Sequence, residues 1–227
     1  MKSKFLPFEI LHEDRDVIVI DKPAGLLTTH TRLPGRAARE AQPTAENYLN
    51  AYVRKGQARS SKRVRLVHRL DRETSGVMMF AKDARFADAM RERWNELTEK
   101  TYLARVEGTM DEDGGVFESL LSEDADGYRV RSVKPGATCG RGGAKAPRLA
   151  RTEWRKVSSD GATTLVEVRL KSGRKNQIRV HFSEAGHPVV GDVKYGAKRA
   201  DRLHLRSVRL AFVHPFNGRR FEFEAPA

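Results

Sequence analysis

The 227-residue chain carries a single cysteine, Cys139. One thiol closes no intrachain disulfide and builds no multi-cysteine zinc site. Such usage suits a reducing compartment, and a cytoplasmic location is expected. Long apolar runs are missing as well: none approaches the ~18–20 residues that a spanning helix needs. The N-terminal stretch MKSKFLPFEILHEDRD turns acidic before the apolar core of a secretion signal forms. Neither a membrane partner nor export is therefore expected. The chain also lacks GxGxxG, GxSxG and GxxxxGK[ST], so nucleotide-cofactor, serine-hydrolase and P-loop chemistry have no motif behind them. The glycine-rich GRGG at 140–143 has no flanking βα unit to make it a phosphate loop. Seven histidines are present, His12, His30, His68, His181, His187, His204 and His214. None forms an HxxxH pair on a helix and no cysteine joins them at ligand spacing, so no metal is expected.

What the chain has in excess is positive charge. Lys plus Arg number 43 against 30 Asp plus Glu, a formal net charge of +13. A polyanion is the natural partner of such a surface, nucleic acid first and an anionic membrane surface second. Hydrophobic residues make up 39% and charged residues 32%, enough for a core beneath a crowded polar surface. No linker splits the chain and no repeat appears, so one domain over residues 1–227 is expected.

Residues 8–21, FEILHEDRDVIVID, read as two short strands around a polar turn, and KPAG (22–25) as a turn after them. Residues 30–43 are loop-like and Arg-rich. A helix starts at Thr44, with Ala45, Tyr48, Leu49, Tyr52 and Val53 at helical spacing. A basic loop, RKGQARSSKR, fills 54–63. Asp83 caps the next helix, whose core stripe is Phe86, Met90, Trp94 and Leu97. KTYLARVEG (100–108) and TTLVEVRL (163–170) read as strands, residues 111–127 as acidic and turn-rich, and 134–148 as a mobile basic loop. SGRKNQIRVHFSEAG (172–186) reads as a turn entering a helix with Ile178, Phe182 and Ala185 on its apolar side and Gly186 as its stop. GHPVVGD (186–192) reads as a turn with a short strand, and residues 203–215 and 219–226 as closing strands around Asn217–Gly218. Runs of strands with a few helices predict an α+β domain on a largely antiparallel sheet.

Three segments offer chemistry. HRLDRETSG (68–76) places Asp71 among His68, Arg69 and Arg72 just before the apolar run VMMFAK. Neighbouring Arg side chains favour an ionised carboxylate, which suits a nucleophile or electrostatic partner better than a general acid. From local residues alone, a turn carboxylate in a structural ion pair is the better explanation of the pattern, because such pairs also perturb a pKa. In KTYLARVEG, Tyr102 alternates with Ala104 and Val106 on one strand face. It is either a core tyrosine or a stacking platform for a base. In SGRKNQIRVH, Arg174 and Lys175 stand at the start of a helix, where an anion is favoured, and Arg179 follows one turn in.

Taken in order, these segments resemble the RluA-type family of RNA pseudouridine synthases. HRLDRETSG matches the family's HRLDxxTSG at every specified position. VIDKPAG, KTYLARVEG, SGRKNQIRVH, GHPVVGDVKYG and the closing LHLRSVRLAFVHPFNGRRFEFEAP follow in family order, from about Phe8 to Pro226. The resemblance implies the pseudouridine synthase fold, a mixed, largely antiparallel sheet flanked by helices and loops with the active-site cleft across the sheet. It implies an isomerase that breaks the N1–C1′ bond of an RNA uridine and rejoins the ribose at C5. It makes Asp71 the essential carboxylate, attacking C1′ or abstracting the 2′ proton. Tyr102 would stack on the flipped uracil and assist loss of the C5 proton. Arg69 and Arg179 would hold Asp71 and place the nucleotide, and Ile178 would pack on the base. The family uses no metal and no organic cofactor.

The implied substrate is ribosomal or transfer RNA, and a monomer without a separate N-terminal RNA-binding module is expected. Substrate choice would then rest on the basic loops 30–43, 54–63 and 134–148. The third motif often reads GRxHQ in the family; here it is GRKNQ, with Asn176 in the His position. A non-catalytic RNA-binding or ribosome-assembly factor on the same fold is the rival reading. Asp71, Tyr102 and Arg179 all being of the expected type argues against it.

Overall fold

The structure, a computed structural model, describes residues 6–30, 42–55, 57, 59–124, 127–134 and 146–226. In chain order these form β1 (Glu9–Glu13), β2 (Val17–Lys22), α1 (Ala45–Arg54), β3 (Arg65–Leu66), β4 (Ser75–Ala81), α2 (Ala84–Glu92) and the single turn α3 (Trp94–Leu97). Next come β5 (Thr98–Glu107), β6 (Gly114–Glu123), β7 (Val130–Val133), β8 (Arg148–Ser159), β9 (Thr163–Leu170) and α4 (Gln177–Glu184). A 3-10 turn (Val193–Tyr195), β10 (Leu205–Val213) and β11 (Arg220–Glu224) close the chain. The fold is the expected α+β arrangement on mostly antiparallel strands. It comprises two compact units, one of Met1–Thr98 with Ser207–Ala227 and one of Glu99–Arg206.

The first unit is ordered β1-β2-β4-β10, with β3 on β4 and β11 on β10. The β-branched run Val17–Ile20 favours extended backbone. It pairs antiparallel with β4 from Val17 opposite Ala81 to Lys22 opposite Gly76. Both strands are buried on both faces, so each reads as a continuous apolar run. Helix α2 covers one face, setting Phe86, Ala87 and Met90 against Val17, Val19, Val77, Met79, Leu210 and Phe212. The two predicted caps are present. Thr44 Oγ1 accepts from the Asn47 amide at 3.0 Å, and Asp83 Oδ1 from the Phe86 amide at 2.9 Å. The stripe Phe86–Met90–Trp94–Leu97 is not one helix. It breaks at Arg93 (φ −112°, ψ 22°), between α2 and α3. Met90 and Leu97 stay in the core, while Trp94 sits at its edge and stacks on His68, centroids 4.4 Å apart.

The second unit is ordered β5-β9-β8-β6-β7, each neighbouring pair antiparallel. Three of these strands, β6, β7 and β8, escape the sequence reading. Residues 111–127, read as turns, contain β6. Its Glu118 stands opposite Arg151 of β8, with the side chains 3.1 Å apart. Of the carboxylates that suggested a loop, Glu118 points outward on β6, and Asp111, Glu112 and Asp113 precede the strand. Strand β8, where no element was expected, buries Ala150, Thr152 and Trp154 and turns Arg151, Glu153 and Arg155 outward. Val180 of α4 packs into the small cluster Leu121, Val130 and Ala150. Helix α4 starts at Gln177, and Gly186 (φ +85°) follows its end as expected. Residues 31–41 of the first basic loop, Gly56 and Ala58 of the second, and 135–145 of the third lie outside the described residues.

Candidate active site

Asp71 opens a tight turn in the first unit, closed by the Thr74 amide donating to the Asp71 carbonyl at 3.2 Å. Its side chain is half-buried. The turn is locked from below by Lys22, the last residue of β2, which is fully buried. The Lys22 ammonium donates to the carbonyls of Pro23 (2.9 Å), Leu26 (2.8 Å) and Arg72 (3.1 Å). An ammonium has three donors, and here each has a carbonyl. Burial pushes the Lys22 pKa down to about 8, while the nearby negative charges of Glu73, Asp71 and Asp21 pull it upward. The KPAG turn and the Asp71 turn are further tied by the Gly25 amide donating to the Arg72 carbonyl (2.9 Å). Arg72 Nε returns a bond to the Gly25 carbonyl at 3.0 Å. Thr28 Oγ1 donates to the Leu70 carbonyl at 2.8 Å. KPAG, read from sequence only as a turn, is thus the mount of the Asp71 loop.

His68 also has a structural role. Its Nε2 accepts from the Met79 amide at 3.0 Å, which fixes the start of the motif to β4. Gly76 closes it at φ +112°, where a Cβ would lie 2.0 Å from the Ser207 carbonyl oxygen. Only glycine fits there. Arg69 is exposed, and among the described residues no ion pair joins it to Asp71.

In the second unit, Tyr102 lies on β5 opposite Val168 and is buried. The inward positions of β5 also include Lys100, Ala104 and Val106. Burial, reinforced by the charge of Lys171, lowers the Lys100 pKa to about 8. Ile178 and Arg179 lie side by side on α4, both buried. The Arg179 guanidinium forms a two-pronged pair with Asp192, Nε to Oδ2 at 2.6 Å and Nη2 to Oδ1 at 2.7 Å. Its Nη1 donates to Asn176 Oδ1 at 3.2 Å, and its central carbon lies 5.1 Å from the Tyr195 ring centroid. The Tyr195 hydroxyl accepts from Asn176 Nδ2 at 2.9 Å and from the Val130 amide at 3.1 Å. Burial raises that phenol's pKa. Asp192 follows Gly191, whose φ of +81° and closeness to the Arg202 carbonyl oxygen exclude a side chain. The sequence reading quoted GHPVVGDVKYG but gave Asp192 and Tyr195 no role. Only a tertiary contact reveals one.

The helix start is held by side chains. Gln177 Oε1 accepts from Ser172 Oγ (2.9 Å) and the Arg174 amide (3.0 Å), while Nε2 donates to Thr152 Oγ1 (2.9 Å) and the Arg151 carbonyl (3.0 Å). His181 bridges Thr152 Oγ1 at 2.8 Å and Ser119 Oγ at 3.0 Å, and burial depresses its pKa. Arg174 and Lys175 are tied down within this unit. Arg174 Nε donates to the Leu149 carbonyl at 3.0 Å, and the Lys175 ammonium bonds Glu123 Oε2 at 3.2 Å and the Gly127 carbonyl. Among the described residues, no cluster of three or more His, Cys, Asp or Glu gathers as metal ligands.

Comparison with known proteins points one way. Residues 16–184 match the sequence profile of a family described as RNA pseudouridylate synthase. A dual-specificity RNA pseudouridine synthase RluA of Vibrio vulnificus (strain CMCP6) is 33% identical over 213 residues, 91% of this chain and 78% of that one. An uncharacterized RNA pseudouridine synthase, YhcT of Bacillus subtilis (strain 168), is 34% identical over 225 residues, 96% of this chain and 68% of that one. Among solved structures, human RNA pseudouridylate synthase domain containing 4 shares the fold, with a TM-score of 0.72 at 24% identity. That match covers 96% of this chain and 88% of that one.

Proposed function

The chain belongs to the RNA pseudouridylate synthase family, and from that premise we propose that it isomerises particular uridines of ribosomal or transfer RNA with Asp71 as the essential carboxylate. We further propose that residues 1–227 act as one catalytic domain. In support, the family match runs through both units, over residues 16–184. The observation that carries the role of Asp71 is its mounting. A carboxylate inside a family motif stands on a loop that the buried Lys22 and Thr28 fix through the backbone carbonyls of Arg72 and Leu70.

A target uridine must leave its stack before its glycosidic bond can be reached, at a cost of a few kcal/mol. Phosphate contacts from Arg and Lys offset that cost, which makes activity salt-dependent. Asp71 acts ionised, as a nucleophile at C1′ or as a base toward the 2′ proton. Either role breaks N1–C1′. Bonding of C1′ to C5 then follows, as the Asp71–C1′ ester bond breaks in the first case or Asp71 returns the proton to C2′ in the second; the C5 proton leaves as N1 gains one, so atoms balance without a cofactor. Tyr102 offers an aromatic face to the uracil, Ile178 an apolar contact, and Arg69 with Arg179 places the nucleotide.

The test is a map of pseudouridine by carbodiimide adducts and primer extension, in RNA from a strain lacking this protein. One or more sites disappear, the wild-type gene restores them, and an Asp71→Ala copy does not. Purified Asp71→Ala still binds RNA, because phosphate contacts carry most of the affinity. Restoration of the lost site by Asp71→Ala would refute the assignment. The same map identifies the RNA and the uridine.

A further inference from the structure

Between Glu46 and Asp71 the sequence contains no carboxylate at all, yet it contains seven Lys and Arg: Arg54, Lys55, Arg59, Lys62, Arg63, Arg65 and Arg69. Several cations elsewhere in the first unit sit in ion pairs, while Arg85 and Arg219 lie over the rings of Phe216 and Phe221. Lys82 meets Glu13 at 2.7 Å, Arg91 meets Asp88 at 2.8 Å, Arg93 meets Glu96, and Arg209 meets Glu222 at 2.9 Å. Among the described residues, none of Arg54, Lys55, Arg59, Lys62, Arg63 and Arg69 has a carboxylate partner. Lys55, Arg59, Lys62, Arg63 and Arg69 are exposed.

The backbone that carries these charges is pinned. Val64, Val67 and Leu70 are buried at three-residue intervals. The Val64 amide donates to Asn50 Oδ1 at 2.9 Å, and Arg54 Nε donates to the Lys62 carbonyl at 3.2 Å. Arg65 Nη1 donates to the Lys82 carbonyl at 2.7 Å, and β3 pairs Leu66 with Phe80 at the far end of β4. From there the chain returns along β4 to the Asp71 turn, a path of about 17 Å at ~3.3 Å per residue. A solvated charge run has no need of such anchors. Fixed cations cost less conformational entropy on binding than mobile ones.

We infer that Arg54, Lys55 and residues 59–69 form a preset cationic ridge that grips the phosphates of the RNA strand leading to the target uridine. The ridge works alongside the proposed isomerisation and rests on that reading for the identity of its polyanion. Its sequence places it immediately before Asp71. It would align the RNA backbone before the base leaves its stack.

The test compares two variants of equal net charge. The ridge variant is Arg54→Gln, Lys55→Gln, Lys62→Gln and Arg63→Gln; the comparison variant is Arg91→Gln, Arg93→Gln, Arg209→Gln and Arg220→Gln. Affinity for a fluorescein-labelled 20-nucleotide single-stranded RNA of mixed sequence is measured from 50 to 300 mM KCl by anisotropy. Each lost phosphate contact lowers the log–log salt slope by ~0.7. The ridge variant should therefore lose about 2 to 3 from the slope, and the comparison variant less than about 1. Equal slopes for the two variants overturn the proposal. A charge-keeping set, Arg54→Lys and Arg63→Lys, should retain the wild-type slope, and its failure to do so would also count against phosphate gripping. If the wild-type protein shows the ridge effect but removes no pseudouridine site on deletion, the isomerase reading fails and the ridge stands.

Discussion

The Arg179–Asp192 pair allows the sharpest quantitative prediction. Asp192 is almost wholly buried and Arg179 nearly so, with side-chain exposures of 1% and 10%. Two charge-assisted bonds of 2.6 and 2.7 Å join them. Removing one partner leaves a buried charge uncompensated, which costs ~3–5 kcal/mol. Arg179→Met and Asp192→Leu should each lose about that much. Replacing both by apolar residues removes the stranded charge, and such exchanges are often close to neutral. Here the exchange also strands Asn176 Oδ1, which accepts from Arg179 at 3.2 Å. An unsatisfied buried acceptor costs ~1–3 kcal/mol. The double variant should therefore lose only ~1–3 kcal/mol, against ~6–10 for the sum of the singles. Urea unfolding measures this directly. Trp154 lies in the second unit with the pair and Trp94 in the first, so single-tryptophan backgrounds show which unit responds. If the singles add in the double to within ~0.5 kcal/mol, the two side chains do not act as a buried unit and the reasoning is refuted. Asp192→Asn, which keeps the shape and loses the charge, should lower activity at temperatures where it remains folded.

Two further predictions follow from the mount of Asp71. The Lys22 pKa falls from its ordinary 10.5 to about 8 in the folded protein, so between those values the unfolded chain binds the extra proton. Stability from this group is lowest below pH 8 and rises as pH climbs from 8 toward 10.5, by up to ~3 kcal/mol. Thermal midpoints at pH 7.5 and 10 should show that rise in the wild type. Lys22→Met should show less of it, and an unchanged difference would sink the account. Gly76→Ala forces a Cβ to 2.0 Å from the Ser207 carbonyl oxygen at φ +112°. A loss of ~3 kcal/mol or more is expected from overpacking and backbone strain, a midpoint lowered by roughly 6–12 °C. A midpoint within about 2 °C of wild type would mean that β4 and Ser207 separate freely.

The sequence made legible what depends on neighbours a few residues apart. The caps Thr44 and Asp83, the strands around 8–21 and the closing hairpin all follow from local pattern. What it hid depends on distant partners. The acidic stretch that became β6 looked like a loop because its cations stand on β8, more than thirty positions away in the chain, as Glu118 and Arg151 show. The break of the Phe86 stripe at Arg93 was equally invisible, since the apolar spacing continues through it while Trp94 turns to the His68 ring.

At the candidate site the same division holds, and Asn176 shows its consequence. As a motif position it was a departure from GRxHQ with no assigned work. In the structure it takes a left-handed conformation, φ +53°, which Asn tolerates better than most side chains. From there its amide oxygen receives Arg179 and its amide nitrogen reaches the Tyr195 hydroxyl, so one side chain spaces the guanidinium from the phenol. An imidazole at this position offers one donor and one acceptor when neutral, and two donors when protonated. Protonation would put a second cation against Arg179. Asparagine keeps both contacts without a titratable group, so the placement of Arg179 in this chain should not depend on the charge state of residue 176. In an Asn176→His variant, activity should fall as pH drops through the imidazole's titration, while the wild type should show no such limb. Parallel pH–kcat/KM profiles for the two proteins would refute that account of Asn176.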